Sequence, residues 1–149
     1  MKIYVINKMN FDSLMIAKNI TNENVELLKQ SFFISINNTN TSLYGNSYFN
    51  SDKSNVKALY FDDCGKDKLN EVAMNINQAK ELFEFIKQNI HKESCIVHCS
   101  AGISRSGAVG LFINEYLHQD CNEFKNINPQ IQPNHHILTL MRYVSDLKN

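Results

Sequence analysis

A strand pattern, a loop of small residues and a helical pattern, in that order, constrain the fold of this chain more than any other feature. Ser94–His98 is an apolar run with the length of a buried strand. The following loop, Cys99–Ser104, consists mostly of small side chains, and a helix is predicted over Ser106–Gln119. A strand that leads through a tight loop into a helix is typical of α/β domains. The sequence therefore predicts an α/β fold in which this loop follows the end of a strand.

Strand and helix patterns alternate along the rest of the chain, which agrees with that fold class. Strands are predicted over Ile3–Ile6, Phe32–Ile36 and Val56–Phe61, and helices over Thr21–Gln30, Asn77–Ile90 and Asn134–Leu147. The segment Asn37–Asn55 is rich in Asn and Ser, whose side chains compete with regular backbone hydrogen bonding, so we expect a long surface loop there. Because no repeat or linker interrupts the pattern, we expect one domain over residues 1–149.

The charge and apolar patterning exclude several classes of partner. The 15 basic and 15 acidic residues cancel, whereas binding to nucleic acid or to an anionic membrane requires a basic surface. No apolar run approaches the ~20 residues of a membrane span, and the start of the chain lacks the small-residue cleavage site of a signal peptide. We therefore expect a cytoplasmic protein with neither nucleic acid nor membrane as its partner.

The cysteines, at positions 64, 95, 99 and 121, do not have the spacing of a zinc site. In a reducing compartment we expect them to be free thiols. The pair His135–His136 follows Pro133 at the start of a predicted helix, and no carboxylate or cysteine lies at ligand spacing. We interpret it as a surface pair rather than a metal site. The sequence thus predicts neither a metal ion nor another cofactor.

The loop after the strand has the composition of an anion-binding nest. Successive backbone N–H groups of residues 100–105 can turn toward one point, and the amino terminus of the next helix adds to their field. Cys99 would lie at the bottom of this nest, where the N–H dipoles and Arg105 favour its thiolate form. The planar guanidinium of Arg105 suits two phosphoryl oxygens, and Gly102 allows a tight turn. The alternative interpretation is a buried structural cysteine beside a turn.

Residues His98–Gly107 (HCSAGISRSG) resemble the HC-x5-R-[ST] signature of the protein tyrosine phosphatase superfamily, in the form typical of its dual-specificity branch. The similarity continues on both sides of the signature. Residues 129–141 (PQIQPNHHILTLM) resemble the P-x-I-x-P-N stretch and the helix that close the family's catalytic domain. Val56–Asp63 resembles the strand and loop that carry its general acid. The resemblance implies a phosphatase domain with a central, mostly parallel sheet flanked by helices.

The resemblance also implies roles for the signature residues. Cys99 is implied as the nucleophile and Arg105 as the cation that holds the phosphoryl group. Ser106 would assist departure of the thiolate, and His98 would order the loop through hydrogen bonds. The phosphate-binding loop would consist of Ser100, Ala101, Gly102, Ile103, Ser104 and Arg105.

Two neighbouring carboxylates can supply the general acid that such a reaction needs. Asp62 and Asp63 both lie where the family carries this residue. In the family, the acid follows a strand that reads apolar-x-apolar-x-Asp, and Leu59–Asp63 fits with Asp63 in the acid's place. Since successive side chains of a strand point to opposite faces, only one of the two can easily face the loop. We predict that it is Asp63, with Asp62 as the alternative.

The function implied by the resemblance is that of a phosphoprotein phosphatase acting through a cysteinyl-phosphate intermediate. It would hydrolyse phosphotyrosine, and also phosphoserine and phosphothreonine, in a phosphorylated protein partner. One alternative is a phosphatase for a phosphoinositide or an RNA 5′-phosphate, although phosphoinositide phosphatases of this superfamily tend to carry lysines in the loop, and this loop has none. The other is a pseudophosphatase that binds phospho-residues without turnover, a role that needs neither a thiolate nor an acid.

Three further features have open interpretations. Cys64 adjoins the acid segment, and in some relatives a cysteine forms a protective disulfide with the catalytic one, here Cys99. Aromatic residues of the long loop either border the pocket or attach the loop to the core, and we favour attachment; they are Tyr44, Tyr48 and Phe49. Cys95 and Cys121 are interpreted as packed thiols.

Overall fold

Four parallel strands form the central layer of the molecule. The structure, a computed structural model, describes residues 1–147, except for the side chains of residues 43 and 44. The strands are β1 (Lys2–Asn7), β2 (Ser31–Asn37), β3 (Val56–Tyr60) and β4 (Ser94–Cys99), in the order β1-β4-β2-β3 across the sheet. Asn7 lies opposite Cys99, and Ser35 lies opposite His98. The carboxyl ends of β1, β4 and β2 therefore meet at one end of the sheet.

Helices cover both faces of this sheet. They are α1 (Lys8–Ala17), α2 (Thr41–Tyr44), α3 (Ile76–Asn89), α4 (Arg105–Tyr116), α5 (Cys121–Ile127) and α6 (His135–Leu147), with a 3₁₀ turn at Val25–Leu27. The larger buried cluster joins one face to α3, α4 and α6, through side chains such as Phe83, Phe112 and Met141. A smaller cluster joins the opposite face to α1 through Phe11 and Met15. The predicted class, an α/β domain with a parallel sheet flanked by helices, is confirmed.

Side-chain alternation along the strands explains how one sheet carries two cores. In β2, Phe32 and Ile34 belong to the larger cluster, whereas Phe33 between them belongs to the smaller one. In β4, Val97 faces the larger cluster and Ile96 packs against the smaller one. Each of these side chains that is fully buried, such as Phe32, Ile34 and Val97, stabilises the fold by about 1.5–3 kcal/mol relative to an exposed position. Strands buried on both faces read as continuous apolar runs, which is why these two strands are predictable from the sequence.

The amphipathic helix predicted over Asn77–Ile90 is confirmed as α3. Before α3, the Asn75 side chain accepts a hydrogen bond from the Gln78 N–H, and the Gln78 side chain accepts one from the Asn75 N–H. The buried face of α3 includes Leu82, Phe83 and Ile86. The predicted range, Asn77–Ile90, differs from the observed one by a single residue at each end.

The helix predicted over Thr21–Gln30 is wrong, because only the 3₁₀ turn Val25–Leu27 forms there. The side-chain amide of Asn55, which is buried, lies within hydrogen-bond distance of three carbonyl oxygens of this segment. They belong to Val25, Leu28 and Ser31, at 2.9, 3.3 and 3.3 Å. Carbonyl groups held by a side chain from a distant part of the sequence are not all free for a continuous helical ladder. The segment therefore stays irregular until it enters β2.

Besides the short α2, two helices have no counterpart in the sequence prediction: α1 and α5. The Asn7 side chain caps α1, and Phe11 is its fully buried contact with the smaller core. The Asp120 side chain caps α5 by accepting hydrogen bonds from two N–H groups of the first turn. Because α1 has 10 residues and α5 has 7, neither presents a long apolar stripe. Their capping residues, Asn7 and Asp120, indicate these helices better than their apolar patterns do.

The last two long helices agree with the prediction except at one end. α6 begins within one residue of the predicted start and ends at the predicted Leu147. α4 ends at Tyr116 rather than at Gln119, because His118 adopts a left-handed backbone conformation with a φ of 55°. No helix within residues 1–147 is long and apolar enough to cross a membrane.

The polar segment between β2 and β3 is a loop apart from the short α2. Phe49 is fully buried against Phe11, with the ring centroids 6.2 Å apart. The hydroxyl of Tyr48 donates a hydrogen bond to the carbonyl of Ile20 at 2.7 Å. Both contacts agree with the prediction that aromatic residues attach this loop to the core. The prediction for Tyr44 concerns a side chain outside those described.

Candidate active site

The thiol at the carboxyl end of β4 is surrounded by hydrogen-bond donors. Cys99 is only 2% exposed, and its Sγ lies 3.0 Å from Ser106 Oγ. The backbone N–H groups of Ile103 and Ser106 also donate to this sulfur. Ser106 is in the first turn of α4, so its N–H lies at the positive end of the helix dipole. This arrangement favours a negative charge on the sulfur.

The environment of each buried cysteine decides its pKa. Burial opposes ionisation of Cys99, but the hydrogen bonds from Ser106 and the charge of Arg105 outweigh it and hold the pKa of this thiol below its ordinary value. Burial raises the pKa of Cys64 and, still more, that of Cys95. Of these three thiols, Cys99 is therefore the one whose thiolate form the surroundings favour. All three are free, and a disulfide between Cys64 and Cys99 under oxidation stays an open interpretation.

The Cys99 loop (residues 99–105) packs so closely on β1 that one position excludes a side chain. Gly102 has a φ of 69°, and a Cβ atom there would lie 2.5 Å from the backbone nitrogen of Asn7 and 2.5 Å from the carbonyl carbon of Ile6. Neither backbone atom can move without breaking the pairing of β1 with β4. Glycine is thus required both by conformation and by contact.

The carbonyl groups of this loop are bonded to its surroundings. The segment before α6 supplies three of the donors: the Gln130 side chain to the Gly102 oxygen, the Gln132 N–H to the Ile103 oxygen, and the Asn134 N–H to the Ser104 oxygen, at 3.1, 3.0 and 3.0 Å. The Lys8 N–H, at the start of α1, donates to the Ser100 oxygen at 3.3 Å. With its carbonyl groups bonded outward, the loop can present its N–H groups to an anion.

The Arg105 side chain is buried and fixed above the same loop. Its Nη1 donates to the carbonyl of Phe61 at 2.9 Å, and its Nη2 donates to Ser100 Oγ at 3.2 Å. Ser100 Oγ also accepts a hydrogen bond from the Asn38 side chain at 2.9 Å. The guanidinium is therefore oriented by two groups from different parts of the chain, and it links the Cys99 loop to the segment that follows β3.

The histidine that precedes the cysteine is a neutral structural group. Burial lowers the pKa of His98 to about 3, so the ring carries no charge near pH 7. Its Nε2 lies 2.6 Å from Ser35 Oγ, and its Nδ1 lies 3.5 Å from the Cys99 carbonyl oxygen. Ser35 Oγ accepts from the Asn37 amide and lies 3.0 Å from Ser47 Oγ, so with Ser47 as its second donor the Ser35 hydroxyl donates to Nε2. The Nδ1–H then points toward the Cys99 carbonyl, which orients the start of the loop.

The two neighbouring carboxylates after β3 have different environments. Asp62 is mostly buried and accepts hydrogen bonds from the Thr39 N–H, the Thr39 hydroxyl and the Val72 N–H. Burial opposes ionisation of this group, but those hydrogen bonds outweigh it and hold the pKa of Asp62 below its ordinary value. Asp62 thus connects the start of the segment between β3 and α3 to Val72 in the same segment and to Thr39 after β2.

Asp63 is exposed and faces the Cys99 loop. Its Oδ1 accepts hydrogen bonds from Ser104 Oγ and from the Asn134 side-chain amide, both at 2.8 Å. Asn134 also caps α6, because its Oδ1 accepts the N–H of Ile137 at 3.0 Å. The side chain of Asp63 is therefore held by one group of the loop and one group of the helix cap.

One cavity brings most of the predicted residues together. It has a volume of about 360 Å³ and is lined by Asp63, Cys99, Ser100, Ala101, Ile103, Ser104, Arg105 and Gln132. His98, Gly102 and Ser106 lie behind this lining and support it through the contacts described above. Within residues 1–147, no group of three or more His, Cys, Asp and Glu side chains is arranged to hold a metal ion. The cavity instead offers a thiol, a guanidinium, backbone N–H groups and one carboxyl.

Sequence reasoning did not assign three residues that position this site. Asn38, Gln130 and Asn134 hold Ser100, Gly102 and Asp63 through the hydrogen bonds given above. Gln130 and Asn134 lie in the P-x-I-x-P-N stretch. The motif therefore marked both residues, but the groups that they contact could not be read from it. His136 Nε2 lies 2.8 Å from the carbonyl oxygen of Met74, so it holds a backbone group, away from the cavity.

Comparison with known proteins gives one family and a set of structural relatives. The family model described as protein-tyrosine phosphatase matches residues 10–142. A comparison with curated protein sequences finds no match.

Among solved structures, the human tyrosine phosphatase-like serine/threonine/tyrosine-interacting protein is similar over 86% of this chain and 86% of its own, with a TM-score of 0.53 and 17% identity. PTPMT1, solved in complex with PI(5)P, is similar over 99% of this chain and 92% of its own, with a TM-score of 0.52 and 15% identity. At these identities the likeness concerns the fold.

Proposed function

The chain belongs to the protein-tyrosine phosphatase family, and from that premise we propose that it is a dual-specificity protein phosphatase that uses Cys99, Arg105 and Asp63. It would hydrolyse phosphotyrosine, phosphoserine and phosphothreonine esters through a cysteinyl-phosphate intermediate. The observation that carries the proposal is the thiol of lowered pKa that shares one cavity with a fixed guanidinium and an exposed carboxyl.

In the first step, the Cys99 thiolate attacks phosphorus and the bond from phosphorus to the ester oxygen breaks. Asp63, protonated, gives its proton to the departing oxygen, which leaves as a neutral alcohol or phenol. Arg105 and the N–H groups of the Cys99 loop hold the equatorial oxygens, where charge is spread during transfer. Because these donors are fixed before substrate binds, little reorganisation is needed during the reaction.

In the second step, water attacks the cysteinyl phosphate and the sulfur–phosphorus bond breaks. The Asp63 carboxylate, left by the first step, takes a proton from the water. The Cys99 sulfur leaves with the electron pair, and the Ser106 hydroxyl, 3.0 Å away, donates a hydrogen bond to it. The products are inorganic phosphate and the starting enzyme. The resemblance implies this role for Ser106.

The contrast between the two carboxylates supports Asp63 as the acid. Asp62 is committed to three hydrogen bonds that stabilise its charged form, so it is a poor proton donor. Asp63 is exposed and lines the cavity beside Cys99. One carboxyl therefore has a structural role, and the other has access to a leaving group.

Two alternatives have specific support. The likeness of the fold to PTPMT1, which was solved with PI(5)P, makes a phosphoinositide a second candidate substrate. Arg105 is the only lysine or arginine among the described residues that line the cavity, which favours a substrate with a single phosphate. The second alternative is a binding module without turnover. It is disfavoured because binding needs neither a thiol of lowered pKa nor an acid.

A turnover panel tests the proposal. Phosphotyrosine and phosphothreonine peptides, PI(5)P and a 5′-phosphorylated RNA are compared at equal concentration, with release of phosphate as the readout. We expect hydrolysis of the peptides, persistence of that activity in EDTA, and inhibition by vanadate, which mimics the pentavalent transition state. Preference for the lipid or the RNA would overturn the substrate assignment. Loss of activity on chelation, restored by a divalent metal, would overturn the mechanism.

A further inference from the structure

A second cavity adjoins the proposed catalytic cavity and shares three lining residues with it. It has a volume of about 560 Å³, and the shared residues are Asp63, Ser100 and Arg105. Its remaining lining consists of Asn38, Asn40, Asp62, Asn70 and Glu71. A phosphorylated side chain held by the Cys99 loop would therefore place its neighbouring residues next to this cavity.

We propose that the second cavity binds a lysine or arginine adjacent to the phosphorylated residue of a peptide, and that Glu71 determines this specificity. The proposal rests on the proposed phosphatase function and adds the substrate sequence that the site prefers. It follows from the charges of the cavity, the fixed position of Glu71 and the nature of the other lining side chains.

The side chains that line the second cavity carry a net negative charge. Arg105 is its only positively charged lining residue among those described, against three carboxylates, Asp62, Asp63 and Glu71. Asp62 is satisfied by its own hydrogen bonds. Glu71 is half-buried and, within residues 1–147, forms no ion pair with a lysine or arginine. A cationic side chain entering the cavity would be its first charged partner.

The backbone that carries Glu71 is fixed against the acid segment. The Lys68 N–H donates to the Glu71 carbonyl at 2.8 Å, across a tight turn. The next residue, Val72, exchanges hydrogen bonds with Asp62: the Asp62 N–H donates to the Val72 carbonyl at 2.7 Å, and the Val72 N–H donates to the Asp62 carboxylate at 2.9 Å. The backbone of Glu71 is thus held at a defined place in the lining of the second cavity, so little loop ordering opposes binding.

The other lining side chains fit a peptide better than a polyphosphate. Three of them are asparagines, whose amides can both donate to and accept from a peptide backbone. An additional phosphate on the substrate would meet Glu71 and Asp63 instead of a cation. The same charges would disfavour an acidic residue next to the phosphorylated one. The cavity would therefore favour peptides with a basic neighbour and disfavour peptides with an acidic one.

Peptides that differ at one position test the inference. Three phosphotyrosine peptides carry Arg, Ala or Glu on each side of the phosphorylated residue and are otherwise identical. We expect wild-type kcat/KM to follow the order Arg, Ala, Glu. Glu71→Gln should lower the ratio of the Arg to the Ala peptide by about 2- to 5-fold, which is the range for an exposed ion pair. Glu71→Lys should invert the order, and added salt should reduce the wild-type ratio.

Glu93→Gln is the matched control, because Glu93 is exposed at the opposite end of the sheet, before β4. It should leave the ratio at the wild-type value. Hydrolysis of all three wild-type peptides at equal kcat/KM would overturn this inference and leave the proposed function standing. If neither Glu71→Gln nor Glu71→Lys changes the ratio of kcat/KM between the Arg and the Ala peptide, this inference is likewise overturned and the proposed function stands. If none of the peptides is hydrolysed, the proposed function fails, and this inference fails with it.

Discussion

The Cys99 loop and the segment from Phe61 to Val72 face the same cavity, but they are held in different ways. The loop is fixed by backbone contacts: Gly102 packs on β1, and its neighbours' carbonyl groups accept hydrogen bonds from the segment before α6. On the other segment, the Asp63 side chain accepts hydrogen bonds from two side-chain donors, Ser104 and Asn134, and from no other group among the described residues. The proposed anion site is therefore built into the sheet and its neighbouring backbone, whereas the proposed acid, Asp63, is attached to it by contacts that can be exchanged.

This difference separates two kinds of catalytic contribution. A fixed nest of donors is suited to stabilising charge at a constant position, which requires pre-organisation. A proton donor must serve two steps and different leaving groups, which requires access and reversible contacts. Changes in the loop should therefore affect every substrate equally, whereas changes in the acid segment should depend on the leaving group.

Replacing the thiol should have the largest effect. Cys99→Ser removes the nucleophile, and we expect kcat/KM to fall on the order of 10⁴-fold or more for all esters. Binding of a phosphopeptide should persist, because most donors of the nest are backbone groups. Turnover and binding are measured on the same preparation, by phosphate release and by calorimetry. Cys121→Ser is the control, since Cys121 is exposed on α5 and is not the packed thiol that the sequence predicted. Turnover near the wild-type rate in Cys99→Ser would exclude the thiol from the mechanism.

The guanidinium should rank second. Arg105→Lys keeps the charge but loses the planar pair of donors, and we expect kcat/KM to fall about 10²- to 10³-fold. The loss should be similar for phosphotyrosine and for nitrophenyl phosphate, because the phosphoryl oxygens are common to both. Arg142→Lys is a matched control, since Arg142 forms an exposed ion pair with Glu115. A loss confined to one of the two esters would contradict the assignment of Arg105 to the phosphoryl group.

The proposed acid should show the leaving-group dependence that the loop lacks. Asp63→Asn should slow hydrolysis of a phosphotyrosine peptide by about 10²-fold, with a smaller loss for nitrophenyl phosphate, whose oxygen departs without a proton. Asp62→Asn should affect the two esters by similar, small factors. Rates on both esters are compared at the same pH. Leaving-group dependence in Asp62→Asn and not in Asp63→Asn would exchange the two assignments.

The buried carboxylate of the same segment should affect stability. Since the pKa of Asp62 is lowered in the fold, its contribution to stability is present above the unfolded pKa of about 3.9 and is lost as the pH falls through the folded pKa. At pH 7, Asp62→Asn should lower the free energy of unfolding by about 1–3 kcal/mol, because three donors lose a charged acceptor. The difference from wild type should shrink below about pH 4. Urea titrations at several pH values measure it, and a difference independent of pH would contradict it.

The side chain that attaches the acid should have the smallest effect. Asn134→Ser keeps a good helix cap for α6 but removes the donor to Asp63, and we expect a loss of about 2- to 10-fold on the phosphotyrosine peptide. The loss should be smaller on nitrophenyl phosphate, as for Asp63→Asn. An equal loss on both esters, or a large fall in thermal stability, would assign Asn134 to the loop or to the helix alone.

How far the sequence predicts this site depends on the kind of contact. Cys99, Gly102 and Arg105 lie within one short motif whose chemistry follows from local geometry, and the strand before it is an apolar run. Asn134 lies 71 residues from Asp63 in the sequence, and the carbonyl groups that Asn55 holds are 24 to 30 residues away from it. The contact with Asn134 positions Asp63, and the contacts with Asn55 prevent the helix that was predicted to begin at Thr21. They depend on the assembled fold, which local patterns do not encode.

The order of the strands has a consequence for how this protein folds. β1 and β4 are neighbours in the sheet although 86 residues of chain separate them, and Gln130 reaches back to the carbonyl of Val5. Pairings between such distant parts of a chain close large loops and form slowly. The nest around Cys99 can therefore assemble only once both ends of the chain have docked. Until then Cys99 is an ordinary thiol, so its rapid alkylation at neutral pH would report that the whole molecule has reached its native state.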